Sequence, residues 1–198
     1  MIRRHLLALA ASLAFVVSTA HATSVLPLYL DEIVDSAAVA FEGTVLSNRT
    51  TRDEATGLVV TYTTFKVHEA LKGSLGETYT VKQVGGDLPA EGVRQKSHGV
   101  PRFNTGESMV IFFYGVSEAG FSSPVGLEQG RFFISDEATG PEVTNGRDFR
   151  DLAQRMAPPA SASAQARLNS AAPVKGLALD DFKKMVRDRA ARVAGGGK

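Results

Sequence analysis

The chain has 198 residues, and its 22 basic side chains nearly balance its 21 acidic ones, giving a formal net charge of +1. A near-neutral chain with no basic stripe lacks the electrostatic footprint of a nucleic-acid-binding protein, which excludes nucleic acid as a partner. The chain contains no cysteine, so its body must depend on an ordinary hydrophobic core and not on disulfides.

The first 22 residues have the three-part pattern of a secretory signal peptide. Two arginines precede an apolar run over residues 6–17, and the small residues Ala20 and Ala22 follow it. The run is shorter than the roughly 20 residues that a membrane-spanning helix needs. We therefore expect cleavage after Ala22, a mature chain beginning at Thr23, and a periplasmic or secreted protein with no membrane segment after cleavage.

A short amphipathic helix is predicted near the start of the mature chain. Apolar residues recur at the spacing of one helix face, at Leu30, Ile33, Val34 and Ala37. The pattern then changes to alternating apolar and polar residues, which predicts a strand over residues 39–47.

Further strands are predicted where the alternation returns, at residues 58–71, 79–84, 109–114, 131–134 and 141–145. The most apolar of these, 109–114, is predicted to be the central strand. Residues 48–57 and 87–104 are polar or rich in glycine, proline and charge, and are predicted to be exposed loops. Five or six short strands predict a mainly β fold, a small antiparallel five- to six-stranded barrel of the OB type, because closure removes exposed sheet edges.

Composition changes after this predicted β-barrel domain, which covers residues 23–156. Residues 157–175 are rich in alanine, proline and serine and are predicted to be a linker. Residues 176–198 are predicted to form a C-terminal helix with one apolar side, at Leu179, Phe182, Met185 and Val186. This helix either docks on the barrel or binds another molecule.

The stretch from Lys72 to Glu77 resembles a phosphate-binding loop, since a lysine and a serine surround two glycines. In such a loop the lysine follows the glycines and a helix comes next. Here the lysine precedes the glycines and a strand follows, so the stretch is interpreted as the turn of a hairpin. No nucleotide or other cofactor is expected.

Two histidines remain after the predicted cleavage, His68 and His98. A zinc site normally uses three or four protein ligands, so no metal site is expected. Ser97 beside His98 is the basis of an alternative function, a small hydrolase that uses this pair with a loop carboxylate. Neither this serine nor those at 122–123 lies in a nucleophile-elbow motif.

Arginine and aromatic residues cluster in the predicted loops and at strand ends, a combination typical of protein-binding surfaces. The alternative is that the phenylalanines are core residues covered by the arginines. The candidate binding residues are Thr23, His98, Arg102, Phe103, Phe121, Gln129 and Arg131.

Three segments, 38–45, 63–73 and 106–113, resemble the strand skeleton of netrin-like modules, which the tissue inhibitors of metalloproteinases share. The resemblance implies an OB-type barrel of five strands. The chain is also similar to exported bacterial proteins of unknown function that carry the segments found here at 71–73 and 123–132. In the inhibitors, an N-terminal cysteine locked by disulfides chelates the zinc of a protease, whereas this chain has Thr23 at that place.

We therefore expect an exported, non-enzymatic binding module that contacts another envelope or secreted protein. One alternative, implied by the resemblance, is inhibition of a zinc metalloprotease through the amine of Thr23. A second is the small hydrolase that uses Ser97 and His98. A third is a binder of glycans or other ligands through an aromatic platform, against which the absence of tryptophan counts.

Overall fold

The structure is a computed structural model that describes residues 26–97 and 99–195. The predicted signal peptide, Thr23 and His98 lie outside the described residues. The described helices are α1 (Leu30–Ser36), α2 (Phe149–Leu152), α3 (Ala162–Leu168) and α4 (Leu179–Gly195). The described strands are β1 (Val39–Arg52), β2 (Val59–Lys72), β3 (Thr78–Val84), β4 (Gly86–Leu88), β5 (Val93–Gln95), β6 (Ser108–Phe113), β7 (Arg131–Glu137), β8 (Gly140–Thr144) and β9 (Leu177–Ala178).

Seven strands form one antiparallel sheet in the order β3-β2-β1-β6-β7-β8-β9, and β4 and β5 form a separate hairpin. The predicted mainly β fold is confirmed. The predicted central strand is confirmed as well, because β6 occupies the middle of the sheet. The strands β3 and β9 are the two edges, and no pairing between described residues closes the sheet into the predicted barrel.

The sheet has a hydrophobic core on each face, because side chains alternate along its strands. On one face the helices cover a core that includes Phe112, Phe132 and Phe182, which we call the helix-side core. The opposite face carries a second core, which we call the groove-side core, formed by Phe41, Val45, Phe65, Val81, Phe103, Met109, Ile111 and Phe113. Two of its aromatic rings, Phe41 and Phe65, pack edge to face with their centroids 5.5 Å apart.

The loop predicted over residues 48–57 is too long, since β1 continues to Arg52 and the connection to β2 covers only residues 53–58. Polar residues in this part of the hairpin pair across the strands. The hydroxyl of Thr63 donates to Asn48 Oδ1 over 2.7 Å, and the hydroxyls of Thr50 and Thr61 are 3.0 Å apart. Polarity alone was therefore a poor guide, because these cross-strand bonds stabilise a strand pair in which the residues on β1 are polar. The loop predicted over 87–104 also contains strand residues, since β4 extends into it and β5 lies within it.

Residues 157–175, predicted to be a linker, contain α3. The side chain of Ser161 caps this helix by accepting a hydrogen bond from the amide of Ala164 over 3.1 Å. Ser161 also donates to the carboxylate of Asp181 on α4. Pro159, Ala164 and Val174 are buried. The segment is therefore packed on the helix-side core, even though its composition is typical of a linker.

The C-terminal helix α4 docks on the sheet, as the first of the two alternatives predicted. Phe182 is fully buried, and its ring centroid lies 4.7 Å from that of Phe132. Lys183 adds an ion pair with Glu42 on β1 at 2.8 Å. Within the described part of the chain, no helix combines the length and apolarity needed to cross a membrane.

The turn predicted between Lys72 and Glu77 is confirmed, since it joins β2 to β3 and Gly73 has a φ of +80°. Lys72 donates hydrogen bonds to the carbonyls of Val34 and Asp35 at the end of α1, over 2.7 and 3.1 Å. Its ammonium therefore satisfies helix carbonyls that would otherwise have no partner.

Candidate functional site

A groove with a volume of about 440 Å³ lies on the sheet beyond the groove-side core. We call it the β1–β3 groove. Strands β1, β2 and β3 supply its floor, and residues 95–104 supply the opposite wall, with His98 outside the described residues. The floor side chains are Asn48, Thr50, Thr61, Thr63 and Gln83.

The floor arises because one face of the sheet changes from apolar to polar along its strands. On β2, Phe65 belongs to the groove-side core, and Thr63 and Thr61 follow on the same face. On β3, Val81 belongs to that core and Gln83 follows. Thr63 pairs with Val81, and Thr61 pairs with Gln83. The polar positions of the two strands are therefore neighbours.

The threonines of the floor are held by fixed hydrogen bonds. The hydroxyl of Thr61 donates to the carbonyl of Gly85 over 2.7 Å, and that carbonyl can only accept. Thr50, which is 3.0 Å from the same hydroxyl, must then be the donor to Thr61. Thr63 donates to Asn48, and Asn48 Nδ2 donates to the carbonyl of Phe103 over 2.8 Å. The last bond ties the floor to the opposite wall.

The side chain of Gln83 is the exception in this network. Gln83 is only 5% exposed, and among the described residues its Nε2 has no hydrogen-bond partner. A buried donor with no partner costs roughly 1–3 kcal/mol, so folded proteins rarely keep one. Gln83 lies on the floor of the groove, and its Nε2, which has almost no accessible surface, would donate to a bound molecule after a rotation of the side chain.

A glycine at the corner between β3 and β4 allows the strands to approach closely. Gly86 has a φ of +146°, and a Cβ on it would lie 2.5 Å from Thr50 Cγ2 and 2.5 Å from Thr61 Oγ1. Only glycine therefore fits both the backbone conformation and the space beside these two threonines.

Three of the predicted binding residues, Arg102, Phe103 and Arg131, come together at the wall of the groove. Arg131 is buried, and it donates to the carbonyl of Arg102 over 3.0 Å and to the carboxylate of Glu107 over 2.8 Å. Its guanidinium lies 5.1 Å from the centroid of the Phe103 ring, which is itself buried. Arg131 therefore holds the wall against the sheet, while Arg102 and Phe103 line the groove.

Arg102 is exposed at the rim of the groove and pairs with Asp87, with 3.2 Å between Nη1 and Oδ2. The hydrogen bond from Arg102 is the main cause that lowers the pKa of the Asp87 carboxyl below its ordinary value. The rim therefore carries both signs of charge.

Gln129 does not line the groove. It accepts a hydrogen bond from the amide of Leu28 over 2.8 Å and donates to the carbonyl of Leu26 over 3.1 Å, which fixes the segment before α1. Thr23 lies outside the described residues, so inhibition of a zinc metalloprotease through its amine stays a prediction.

Phe121 lines a second cavity of about 240 Å³ beside the groove, which we call the aromatic chamber. Tyr114, Ser122 and Ser123 also line it. The Nζ of Lys82 lies 4.3 Å from the centroid of the Phe121 ring, so this ring is held by a cation–π contact.

Ser97 lines the groove, and the geometry of the predicted Ser97–His98 pair falls outside the described residues. The other histidine, His68, lies on β2, where its Nε2 is 2.8 Å from the hydroxyl of Thr44. Within the described ranges, no three His, Asp or Glu side chains are grouped so as to hold a metal ion.

The floor residues were missed from the sequence. Asn48 and Thr50 fall in the segment predicted to be a loop, and Thr61, Thr63 and Gln83 were predicted only as strand residues. The signal that could have found them is the change from apolar to polar side chains on the same face of β2 and β3, next to two consecutive glycines. The chain matches no protein-family model, no curated protein and no solved structure.

Proposed function

We propose that this chain is an exported, non-enzymatic binding module whose β1–β3 groove receives part of another envelope or secreted protein. The observation that carries the proposal is the buried amide of Gln83 on the floor of a 440 Å³ groove, whose Nε2 has no hydrogen-bond partner among the described residues. A partner that accepts a hydrogen bond from this amide removes the cost of leaving it unpaired, and that gain contributes to binding.

The rim of the groove supports a protein partner. Arg102 and Asp87 carry opposite charges there, and Lys96 is exposed beside them. Mixed charge around a polar and apolar interior is the arrangement of many protein interfaces, in which the rim gives orientation and the interior gives affinity.

Capture from the envelope fraction of the source cell tests the proposal. The full mature chain, tagged at its C-terminus, is compared with Gln83→Leu and with Ser74→Leu, a control in the exposed turn between β2 and β3. The wild type and the control should capture the same protein, and Gln83→Leu should capture about tenfold less of it, the effect of losing one buried hydrogen bond. Equal capture by all three chains, or no specific capture by any, would overturn the proposal.

Hydrolysis is the second candidate function, because Ser97 lines the groove where a bound segment would lie. In that case Ser97 would be the nucleophile and His98 the general base that accepts its proton. Ser97→Ala and His98→Ala should then each abolish the cleavage of chromogenic ester and peptide substrates. A binding module should cleave none of these substrates, and both variants should still capture the partner.

A further inference from the structure

The β1–β3 groove and the aromatic chamber are neighbours, since Gln83, Val84 and Val100 line both of them. One side of this double cavity is polar, with the threonine floor. The other side is more apolar, with Tyr114 and Phe121. A ligand that fills both cavities must carry polar groups and an apolar group a short distance apart.

The outer edge of β3 passes along this double cavity. The amide of Gly85 donates to the main-chain carbonyl of Val59 over 2.8 Å, and the amide of Val67 donates to the main-chain carbonyl of Glu77 over 2.8 Å. In an antiparallel pair, every second residue of a strand points its main-chain amide and carbonyl at the neighbouring strand. On β3 these are the residues in step with Glu77 and Gly85. Val84, which pairs with Val60, therefore points its amide and carbonyl outward.

Part of this outer edge already pairs with the chain itself. The amide of Ser122 donates to the carbonyl of Lys82 over 3.1 Å, and Phe121 forms a parallel bridge with Lys82. Two residues further along, no described residue bonds to the outward amide or carbonyl of Val84. The sheet therefore offers one donor and one acceptor at the point where the two cavities meet.

The chemistry of the floor restricts the ligand further. The hydroxyl protons of Thr50, Thr61 and Thr63 are all donated within the floor, so these oxygens can only accept from a ligand. The amide of Gln83 is the donor beside them. A carboxylate or phosphate would face three oxygens with no proton to offer, whereas an amide or hydroxyl supplies the donor that they need.

We propose that the site binds an extended, uncharged peptide segment of the partner, which adds to the sheet at Val84. In this arrangement one apolar or aromatic side chain enters the chamber beside Tyr114 and Phe121. A polar side chain or main-chain amide lies over the threonine floor and accepts from Gln83. The inference rests on the proposed function, because it specifies which part of the partner the groove receives.

A peptide explains the outward edge of β3 better than a glycan does. Strand addition uses the regular alternation of amide and carbonyl groups in a peptide main chain, and side-chain pockets next to the edge then give specificity. A neutral glycan has hydroxyls for the floor but has no N–H and C=O pair at strand spacing for Val84.

Selection of a displayed random-peptide library on the full mature chain tests the inference. The enriched peptides should share one apolar or aromatic residue next to Ser, Thr, Asn or Gln, and should be depleted of Asp and Glu. A synthetic copy of an enriched peptide should bind about tenfold more weakly when one main-chain amide beside its apolar residue is N-methylated, since methylation removes a strand hydrogen bond and leaves the protein unchanged.

Ser123→Phe, which fills the chamber, should weaken the same peptide about tenfold or more, and Ser74→Phe should bind it as the wild type does. Thermal melting monitored by circular dichroism shows whether Ser123→Phe is folded, and the N-methyl peptide gives a result that does not depend on this variant. Enrichment of acidic peptides, insensitivity to both changes, or displacement of the peptide by a neutral oligosaccharide would each overturn the inference.

Failure of the inference differs from failure of the proposed function. Capture of a partner that Gln83→Leu weakens, together with no enriched peptide, would show that the groove receives a folded surface, which overturns the inference alone. No specific capture together with no enriched peptide would overturn both.

Discussion

Two glutamines show how the same side chain acts differently at two places in this protein. The amide of Gln83 is buried and its Nε2 has no partner in the part of the chain that the structure describes, whereas the amide of Gln129 bonds to the main chain of Leu28 and Leu26. Removing an unpaired buried polar group is neutral or stabilising, but removing a paired one leaves its partners unsatisfied. Residues kept for binding are often those that stability alone would not keep.

The substitution Gln83→Leu should therefore leave the free energy of unfolding unchanged or raise it by up to about 1 kcal/mol. The matched change Gln129→Leu should lower it by roughly 1–3 kcal/mol. Urea denaturation of both variants at neutral pH measures the difference. If Gln83→Leu destabilises the protein as much as Gln129→Leu does, the amide of Gln83 has a partner within the fold.

The buried ion pair of Asp53 with Lys82 makes the free energy of unfolding depend on pH. This carboxylate is buried at the end of the β1–β2 hairpin, 2.5 Å from Lys82 Nζ, and it also accepts from the amide and hydroxyl of Thr56. The hydrogen bond from Lys82 is the main cause that holds the pKa of Asp53 below its ordinary value. The folded state therefore binds a proton here less readily than the unfolded chain does.

The sign of the pH effect follows from that difference in proton binding. The stabilisation is fully present above the unfolded pKa of about 4 and is lost as pH falls through the lower folded pKa. Asp53→Asn should therefore be less stable than the wild type at pH 7 and should show a shallower loss of stability on acidification. Denaturation curves from about pH 7 to about pH 2 measure this, with the exposed Asp136→Asn as the control. Parallel curves for wild type and Asp53→Asn would contradict the prediction.

The corner between β3 and β4 is the element on which the shape of the groove depends. A Cβ at Gly86 would meet Thr50 and Thr61 at 2.5 Å, whereas a Cβ at Gly57, which has a φ of +69°, would have no atom of the described residues within 4 Å. Both glycines have a positive φ, which residues other than glycine rarely adopt, and of the two only Gly86 also lacks space for a Cβ.

Gly86→Ala should lower the free energy of unfolding by about 2 kcal/mol or more, because strain and overpacking act together. Gly57→Ala should cost roughly 1–2 kcal/mol, the strain alone. Thermal and urea unfolding of both variants measure the costs. Equal costs for the two substitutions would mean that the close approach at Gly86 is not constrained.

Helix α4 completes the helix-side core, although it is far in sequence from the strands that it covers. Phe182→Ala should lower the free energy of unfolding by about 3–5 kcal/mol, because a fully buried aromatic side chain leaves a cavity between α4 and the sheet. Val193→Ala, at a position of the same helix that is 40% exposed, should cost less than about 1 kcal/mol. Limited proteolysis adds a second readout, since Phe182→Ala should expose α4 to cleavage and Val193→Ala should not. A small effect of Phe182→Ala would contradict docking of α4.

At the scale of the whole molecule, the sequence was informative about local elements and less so about how they assemble. The six strands and the first helix were predicted because their periodicity lies within each segment, as in the alternation around Phe65. Helix α3 was missed because its stabilising contacts, from Ser161 to Asp181, join residues twenty positions apart. The open sheet order also depends on pairings between distant segments, which no local pattern specifies.

The candidate site, too, was predictable only where its residues lie close together in the sequence. The wall residues Arg102 and Phe103 were predicted, because arginine beside an aromatic residue is visible within a short window. The floor was not, because Asn48, Thr63 and Gln83 come from three strands and become neighbours only through strand register. The role proposed for Gln83 rests on an amide that has no partner among residues 26–97 and 99–195, and the sequence carries no signal for an unsatisfied side chain.

The central claim is that the partner lies in the β1–β3 groove, and photo-crosslinking in living cells tests it most directly. A photoreactive amino acid replaces Lys96, which is exposed at the groove, or Lys66, which is exposed on β2 away from it. We predict that illumination joins the Lys96 probe to one partner protein, through an uncharged peptide of that partner, and that the Lys66 probe gives no such product. Adducts to the same partner from Lys66 and not from Lys96 would contradict the assignment of the groove as the binding site.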